Sequence, residues 1–386
     1  MHEYNIEVIE SLAGISPLEW DALTDNNPTL KYAWIQSMID SGCTAAGTGW
    51  LPQFIVLRRL VNGQHSLTGA IPLYMKGHSY GEYVFDWAWA DAYHRAGLSY
   101  YPKLLAAVPF TPCTGARLLA KTEHDEDILL NALLDIAQQS DVSSLHVLFA
   151  HQRQQNKLLA AGLMPRQAVQ FHWRNNGYRS FDDFLSRMSH DKRKRIKQER
   201  KRVRESGVEL RRLNGSELTT THWDFFTSCY DATYRAHHST PYLNRQFFGL
   251  IGTLMPENVL MIIAEQAGEP IAASLNLVSE TTLYGRYWGA LSFVSGLHFE
   301  TCYYQTIEYC IERGLALLEG GAQGEHKLAR GFVPVQCGSA HLIKDSRFSS
   351  AVEDFLRRES NGIERYVDEL NEHQPFKSVE MTAGDA

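Results

Sequence analysis

The chain has 386 residues, 44% of them hydrophobic and 21% charged, which suits a soluble globular protein too long for one ordinary core. A net charge of −7 offers no global attraction for nucleic acid or anionic lipid. No apolar run reaches membrane-spanning length and the start, MHEYNIEVIE, alternates and carries acids, so neither a transmembrane segment nor a signal peptide is expected. The six cysteines lack CxxC spacing, which argues against a zinc knuckle and fits a reducing, cytoplasmic setting.

In chain order, Tyr4 to Ile9 reads as a strand and Pro17 to Leu23 as a short helix capped by Ser16. Lys31 to Ser41 is expected to be helical. Phe54 to Val61 and Leu67 to Tyr74 flank Asn62-Gly63, a hairpin signal, and Tyr80 to Ala90 continues the meander. His78 to Tyr93 packs six aromatic rings and the acids Glu82, Asp86 and Asp91 into one span. Such a run is more often a buried strand with a polar edge. Asp86 and Asp91 bracket Trp87 and Trp89, however, so a ligand wall is expected, with rings for packing and carboxylates for a cation or amine. Leu98 to Ala107 is expected to be helical, Pro109 to Gly115 a loop, Glu126 to Gln138 a helix, Ser144 to Phe149 a buried strand, Gln152 to Ala161 a helix and Ala168 to Arg174 a strand.

Phe181 to Arg204 reads as one long helix. Its segment from Arg187 carries ten Lys/Arg against two acids. Basic runs are usually solvated faces, but this excess predicts a phosphate-bearing partner held by Arg193, Lys197 and Lys201. Helices are expected over His222 to His237 and Asn244 to Leu254, then a three-strand meander over Val259–Glu265, Ile271–Val278 and Thr282–Ala290. His298 to Arg313 is helical by spacing, with Glu300 in its first turn and Gly314 as its stop. Leu315 to Leu318 is strand-like and leads into Gly-Gly-Ala-Gln-Gly-Glu-His-Lys. A glycine-rich turn lets the backbone approach a ligand on which Glu325, His326 and Lys327 can act. A helix over Ser350 to Asn371 and a polar tail from His373 close the chain. The two halves share one order of elements, each with an antiparallel meander followed by helix and strand, so two copies of one α/β fold are expected.

The stretches FLSRMSHDKRKRIKQERKRVRESGVEL, YGRYWGA, HFETCYYQTIEYCIERGL and GAQGEHKLARGF resemble the Fem-like branch of the GNAT acyltransferase superfamily, as do HSYGEYVFDWAWADAY and YYPKLLAAVPFTPCTG upstream. The resemblance spans roughly residues 5 to 370. It implies an α/β (α+β) fold of two tandem GNAT-like lobes, each a mixed, largely antiparallel sheet flanked by helices. The lobes would cover 1–170 and 171–345, with the basic helix at 181–204 and a C-terminal helix and tail at 346–386. It implies bacterial peptidoglycan biosynthesis or recognition, with acyl or aminoacyl transfer from a donor to an amine-bearing acceptor across the cleft between the lobes. Acetyl-CoA GNAT enzymes carry a Q/R-x-x-G-x-G/A loop for the pyrophosphate. Here Leu291 to Leu297 has one glycine and no arginine. The donor is thus acyl-CoA or, as in Fem-like enzymes lacking that loop, aminoacyl-tRNA, with tRNA on the basic helix and Lys327 near the acyl group.

Transfer needs a proton acceptor, an oxyanion partner and a leaving-group acid. Glu300, Glu325 and His326 are the candidate acceptors. Lys327 and Arg286 are the candidate oxyanion or phosphate partners, and Tyr287 or Tyr303 the acid. The alternative is a non-catalytic tandem module that binds a cell-wall precursor or RNA. A metal hydrolase built on His298, Glu300, His326 and Glu325 fits poorly, because ligands two apart do not share a helix face, and no metal is expected.

Overall fold

A computed structural model describes residues 4–61, 64–321, 324–372 and 375–376. The Asn62-Gly63 turn, Ala322-Gln323 of the glycine-rich loop and the polar tail from His373, apart from Pro375 and Phe376, lie outside the described residues.

Fifteen strands are described: β1 (Tyr4–Ile9), β2 (Trp50–Pro52), β3 (Phe54–Val61), β4 (Gln64–Ile71), β5 (Leu73–Lys76), β6 (Lys103–Ala106), β7 (Leu119–Ala120), β8 (Ser144–Ala150), β9 (Met164–Arg174), β10 (Val208–Asn214), β11 (Val259–Gln266), β12 (Glu269–Val278), β13 (Thr282–Ala290), β14 (Leu317–Glu319) and β15 (Val333–Ile343). The expected mixed sheets flanked by helices are present. Strands β1-β3-β4-β7 form a small sheet, and the others join one eleven-stranded sheet, β10-β11-β12-β13-β14-β9-β15-β8-β6-β5-β2. Two pairs among the described strands are parallel, β6–β8 and β13–β14, and each is joined through a helix, Glu123–Gln139 and Gln305–Arg313 respectively. The order of elements thus repeats between the halves. The long strands β9 and β15 pair over nine residues and carry the sheet from one half to the other.

Four expected elements differ. Tyr80 to Ala90 is not a strand: Gly81 and Tyr83 take positive φ, which breaks an extended run, and Trp87–Arg95 is a helix. Leu98 to Ala107 is not a helix. Pro102 disfavours helical backbone before it, and the fully buried β6 follows between β5 and β8. Leu67 to Tyr74 divides at Pro72, which has no N–H for a ladder, so β4 and β5 enter different sheets. Phe181 to Arg204 is two helices, Phe181–Arg187 and His190–Glu205. Met188 is extended and bridges Phe376, and Ser189 donates its N–H to Pro375 O at 2.9 Å.

The helix Thr220–Ala236 lies against β13 with backbone in close approach. A Cβ on Gly289 would stand 2.0 Å from Cys229 O. Backbone cannot yield as a flexible side chain does, so we expect Gly289→Ala to lower unfolding free energy by about 1–3 kcal/mol in urea titration.

Candidate active site

Strands β13 and β14 pair only at Thr282–Leu317, Leu283–Leu318 and Tyr284–Glu319. Beyond them β14 ends and β13 runs on for six residues, bonded to β12 alone. An opening is left in the sheet. A bulge places Gly285 opposite Asn276 and Tyr287 opposite Leu275, so Arg286 is the extra residue and the following side chains are re-aimed.

On one side of the opening lies the helix that begins at Leu297, continues through a wide turn over Glu300–Tyr304 and ends at Arg313. Such wide turns frequently sit at functional sites. His298 lies 5.4 Å from the ring of Trp288, 5.4 Å from Tyr303 and 6.2 Å from His326. The Tyr303 hydroxyl and His326 Nε2 are 3.0 Å apart. Trp288, the loop at 290–294 and Gly296 to Phe299 line a cavity of about 460 Å³ beside them. The short helical turn Glu325–Arg330 supplies His326 and Lys327. Lys327 is buried and its Nζ donates to Gly321 O at 3.2 Å. Burial lowers its pKa to about 8. Burial, then the neighbouring Lys327 and Arg330 charges, lower His326 and keep the imidazole neutral near pH 7. Arg330, only 1% exposed, fixes this turn. It donates to His326 O at 2.7 Å and to both Glu199 oxygens at 2.8 and 2.9 Å, with its guanidinium 3.4 Å above Phe299. Tyr304 also donates to Glu199.

A second polar cluster borders the same opening where the loop at 108–114 enters from the first half. Arg286 donates to Phe110 O at 2.7 Å and reaches Cys113 Sγ at 3.7 Å, and the Tyr287 hydroxyl donates to Phe110 O at 3.3 Å. Gln170 donates to Pro112 O at 2.6 Å. Glu319, the last residue of β14, is buried, and its Oε2 has no hydrogen-bond partner among the described residues. Burial raises its pKa to about 7 against the pull of Arg286.

The residues expected from sequence divide. Lys327, His326 and Tyr303 come together, and Arg286 and Tyr287 border the same opening. Glu300 does not reach it as a base: it is buried under Arg200, which donates at 3.1, 3.3 and 3.0 Å, and Gln305 adds a bond at 2.9 Å. Glu325 is exposed and accepts from Tyr366 at 2.7 Å. Asp86 and Asp91 do not share a wall. Asp86 is buried 2.5 Å from Lys103, which holds its carboxyl below the usual range despite burial, whereas Asp91 is exposed and pairs with Arg95 at 3.3 Å. Trp89 packs inward against His146 and His341, while Trp87 stays 40% exposed. Of the basic residues, Lys197 and Lys201 are exposed and Arg193 is half-buried. With Glu300 and Glu325 so engaged, the four residues of the metal reading do not converge, and no group of three or more His, Cys, Asp or Glu among the described residues is placed to share an ion.

Sequence reading missed Glu319, Arg330 and Glu199, and weighed His298 only as a metal ligand. For Glu319 a signal existed: an acid closing an apolar run immediately before Gly320-Gly321.

The fold and the interrupted parallel pair define a two-lobed α/β protein with its candidate site at the opening. The sequence matches the FemAB-like family, described as peptidoglycan biosynthesis/recognition, over residues 11–378, and the chain belongs to that family. Among solved structures it is similar to FemX (11% identity, TM-score 0.55, covering 88% of this chain and 98% of that one). It is also similar to L-PGS from Bacillus licheniformis (9%, 0.54, 89% and 96%) and to a conserved protein of unknown function from Bacteroides thetaiotaomicron VPI-5482 (11%, 0.51, 88% and 100%). At these identities the likeness is one of fold. No curated protein matches the sequence. No described helix is long and apolar enough to cross a membrane.

The Arg200–Glu300 pair yields a direct test of the structural role assigned to Glu300. Arg200→Met leaves a buried carboxylate uncompensated and is expected to cost about 3–5 kcal/mol in chemical denaturation. Adding Glu300→Gln should recover part of that loss.

Proposed function

We propose that the protein is an acyltransferase that moves an acyl or aminoacyl group from a carrier to an amine on a cell-wall precursor. What supports the reading is the interruption between β13 and β14, which Glu319 closes, and the burial of Glu319 and of Lys327 in the following turn, which draws both pKa values toward neutrality. In this reading the acyl carbonyl lies in the opening, its carrier in the cavity beside His298. Glu319 takes the proton of the attacking ammonium, the amine nitrogen bonds to the carbonyl carbon, and Lys327 Nζ donates to the oxyanion. The carbon–sulfur or carbon–oxygen bond to the carrier then breaks, the leaving atom takes a proton from the Tyr303 hydroxyl, and the second proton shed by the attacking nitrogen returns to the Tyr303 oxygen, which the neutral His326 imidazole holds in place at 3.0 Å. Arg330 acts through His326 as a positioning residue.

The favoured carrier is an aminoacyl-tRNA, with acyl-CoA as the other candidate. The loop before the helix at Leu297 has a single glycine, Gly296, at φ 85°, and does not present a row of N–H groups to a pyrophosphate. The helix His190–Glu205 offers exposed Lys194, Lys197, Lys201 and Arg202 instead. The ion pairs of Lys197 with Asp182 (3.6 Å) and Lys201 with Glu205 (3.4 Å) are exposed and weak, so polyanion phosphates can displace them. A cytoplasmic location, where both carriers and precursors occur, goes with this reading.

Loss of one oxyanion donor removes about 3–4 kcal/mol of transition-state stabilisation. Lys327→Met should therefore retain its melting temperature and lose about a hundred- to a thousandfold in rate, measured as transfer of labelled acyl group to UDP-linked muramyl pentapeptide. Full activity in that variant would remove Lys327 from the site. Binding of donor and acceptor without turnover in the wild type would make the protein a recognition module. The rate should rise as Glu319 ionises near pH 7 and fall as Lys327 loses its proton near pH 8, and Glu319→Gln should abolish the acidic limb. Replacing Arg193, Lys197 and Lys201 together by Gln should weaken tRNA binding and flatten its salt dependence, read by filter binding across a salt series.

A further inference from the structure

The aromatic run at 78–93, which forms neither a strand nor a wall of the opening, presents three of its six rings outward. Tyr80 is 56% exposed, Phe85 58% and Trp87 40%. His78, Tyr80 and Trp87 make a ladder, with centroids 5.2 Å apart for the first pair and 4.9 Å for the second. The ladder joins two cavities. One, of about 670 Å³, is lined by Trp87, Asp91, His94, Ser99 and Tyr101. The other, of about 460 Å³, is lined by His78 and Tyr80 with Phe110 and residues 238–242 of the second half.

Buried charge fastens this loop from below. Lys103 Nζ donates to Ser79 Oγ and Glu82 Oε2 at 2.8 Å each and lies 2.5 Å from Asp86. Ser79 Oγ is 2.8 Å from the Tyr101 hydroxyl, and Lys76 Nζ donates to Tyr80 O at 3.4 Å. Removing two lysines and two carboxylates from water is costly unless they are paired, so these contacts hold the loop to the sheet beneath it. Exposed rings grouped in a groove mark a binding surface.

We propose that this groove binds a saccharide. Sugar rings have apolar C–H faces and a rim of hydroxyl groups. Trp87, Tyr80 and Tyr101 offer flat apolar faces for the former. The Asp91 carboxylate, the His94 imidazole and the Ser99 hydroxyl offer acceptors and donors for the latter. A wholly apolar partner would strand these polar groups. Two cavities bridged by a ladder suit more than one sugar ring. The proposal does not depend on the transfer chemistry, since binding is read with no donor present.

Titration of the full chain with tri-N-acetylchitotriose and with muramyl dipeptide, followed by calorimetry and by tryptophan fluorescence, tests it. We expect saturable binding of both, with a fluorescence change that Trp87→Phe reduces, and about tenfold weaker binding in Trp87→Ala and in Asp91→Asn at unchanged melting temperature. Tyr80→Ala gives an independent reading should Trp87→Ala fail to fold. Absence of saccharide binding, wild-type affinity in the Tyr80 and Asp91 variants, or binding of the free dipeptide L-alanyl-D-isoglutamine with no affinity for the sugars would each overturn the proposal.

Discussion

Strands β13 and β14 share three residue pairs and then part, and the geometry of the second half follows from that separation. A parallel pair needs a crossover, and here the crossover is the helix from Leu297 to Arg313, which brings Tyr303 to the open edge. The unpaired continuation of β13 would expose backbone and apolar surface. The loop at 108–114 from the first half bonds to it through Arg286 and Tyr287, and on its other side His298 lies 5.4 Å from Trp288 and 6.2 Å from His326. The bulge at Arg286 completes the arrangement by sending Trp288 toward His298 while Tyr287 packs beside Tyr230 and Phe248.

Buried charge is used for position more than for stability. Glu300 under Arg200, Glu199 under Arg330, and Glu82 with Asp86 around Lys103 are ion pairs in which at least one partner is nearly sealed from water. Each is worth little against an apolar replacement of equal shape, but each breaks expensively when one partner is lost. They tie the basic helix to the helix at 297–313, the turn at 325–330 to the basic helix, and the aromatic loop to β6. At Lys327 and Glu319 burial is the largest influence and draws both toward neutrality, at Glu319 against the charge of Arg286.

Much of this was legible in the sequence where a pattern has a local cause. The strands of the meander, the helix stopped by Gly314 and the turn at Glu325 to Lys327 followed from periodicity and glycine placement. The segment at 80–95 was misread because its alternating aromatics imitate a strand, while Gly81 and Tyr83 take positive φ under tertiary demand. The basic stretch hid its break at Met188, since the pairing partner is Phe376, nearly two hundred residues away. Glu300 looked like a base in a first turn, and only the fold shows Arg200 lying across it. Arg330 was a single charged residue beside glycine, and nothing local distinguishes it from a surface charge.

In the proposed transfer the donor is held where β13 and β14 part. Hydrogen–deuterium exchange with and without a non-hydrolysable aminoacyl-tRNA or acyl-CoA analogue measures that directly. Donor-dependent protection is predicted in peptides covering 285–304 and 324–332, with the aromatic loop at 78–93 unchanged. Saturating donor that leaves both segments unprotected, or protects only the first half, would contradict it.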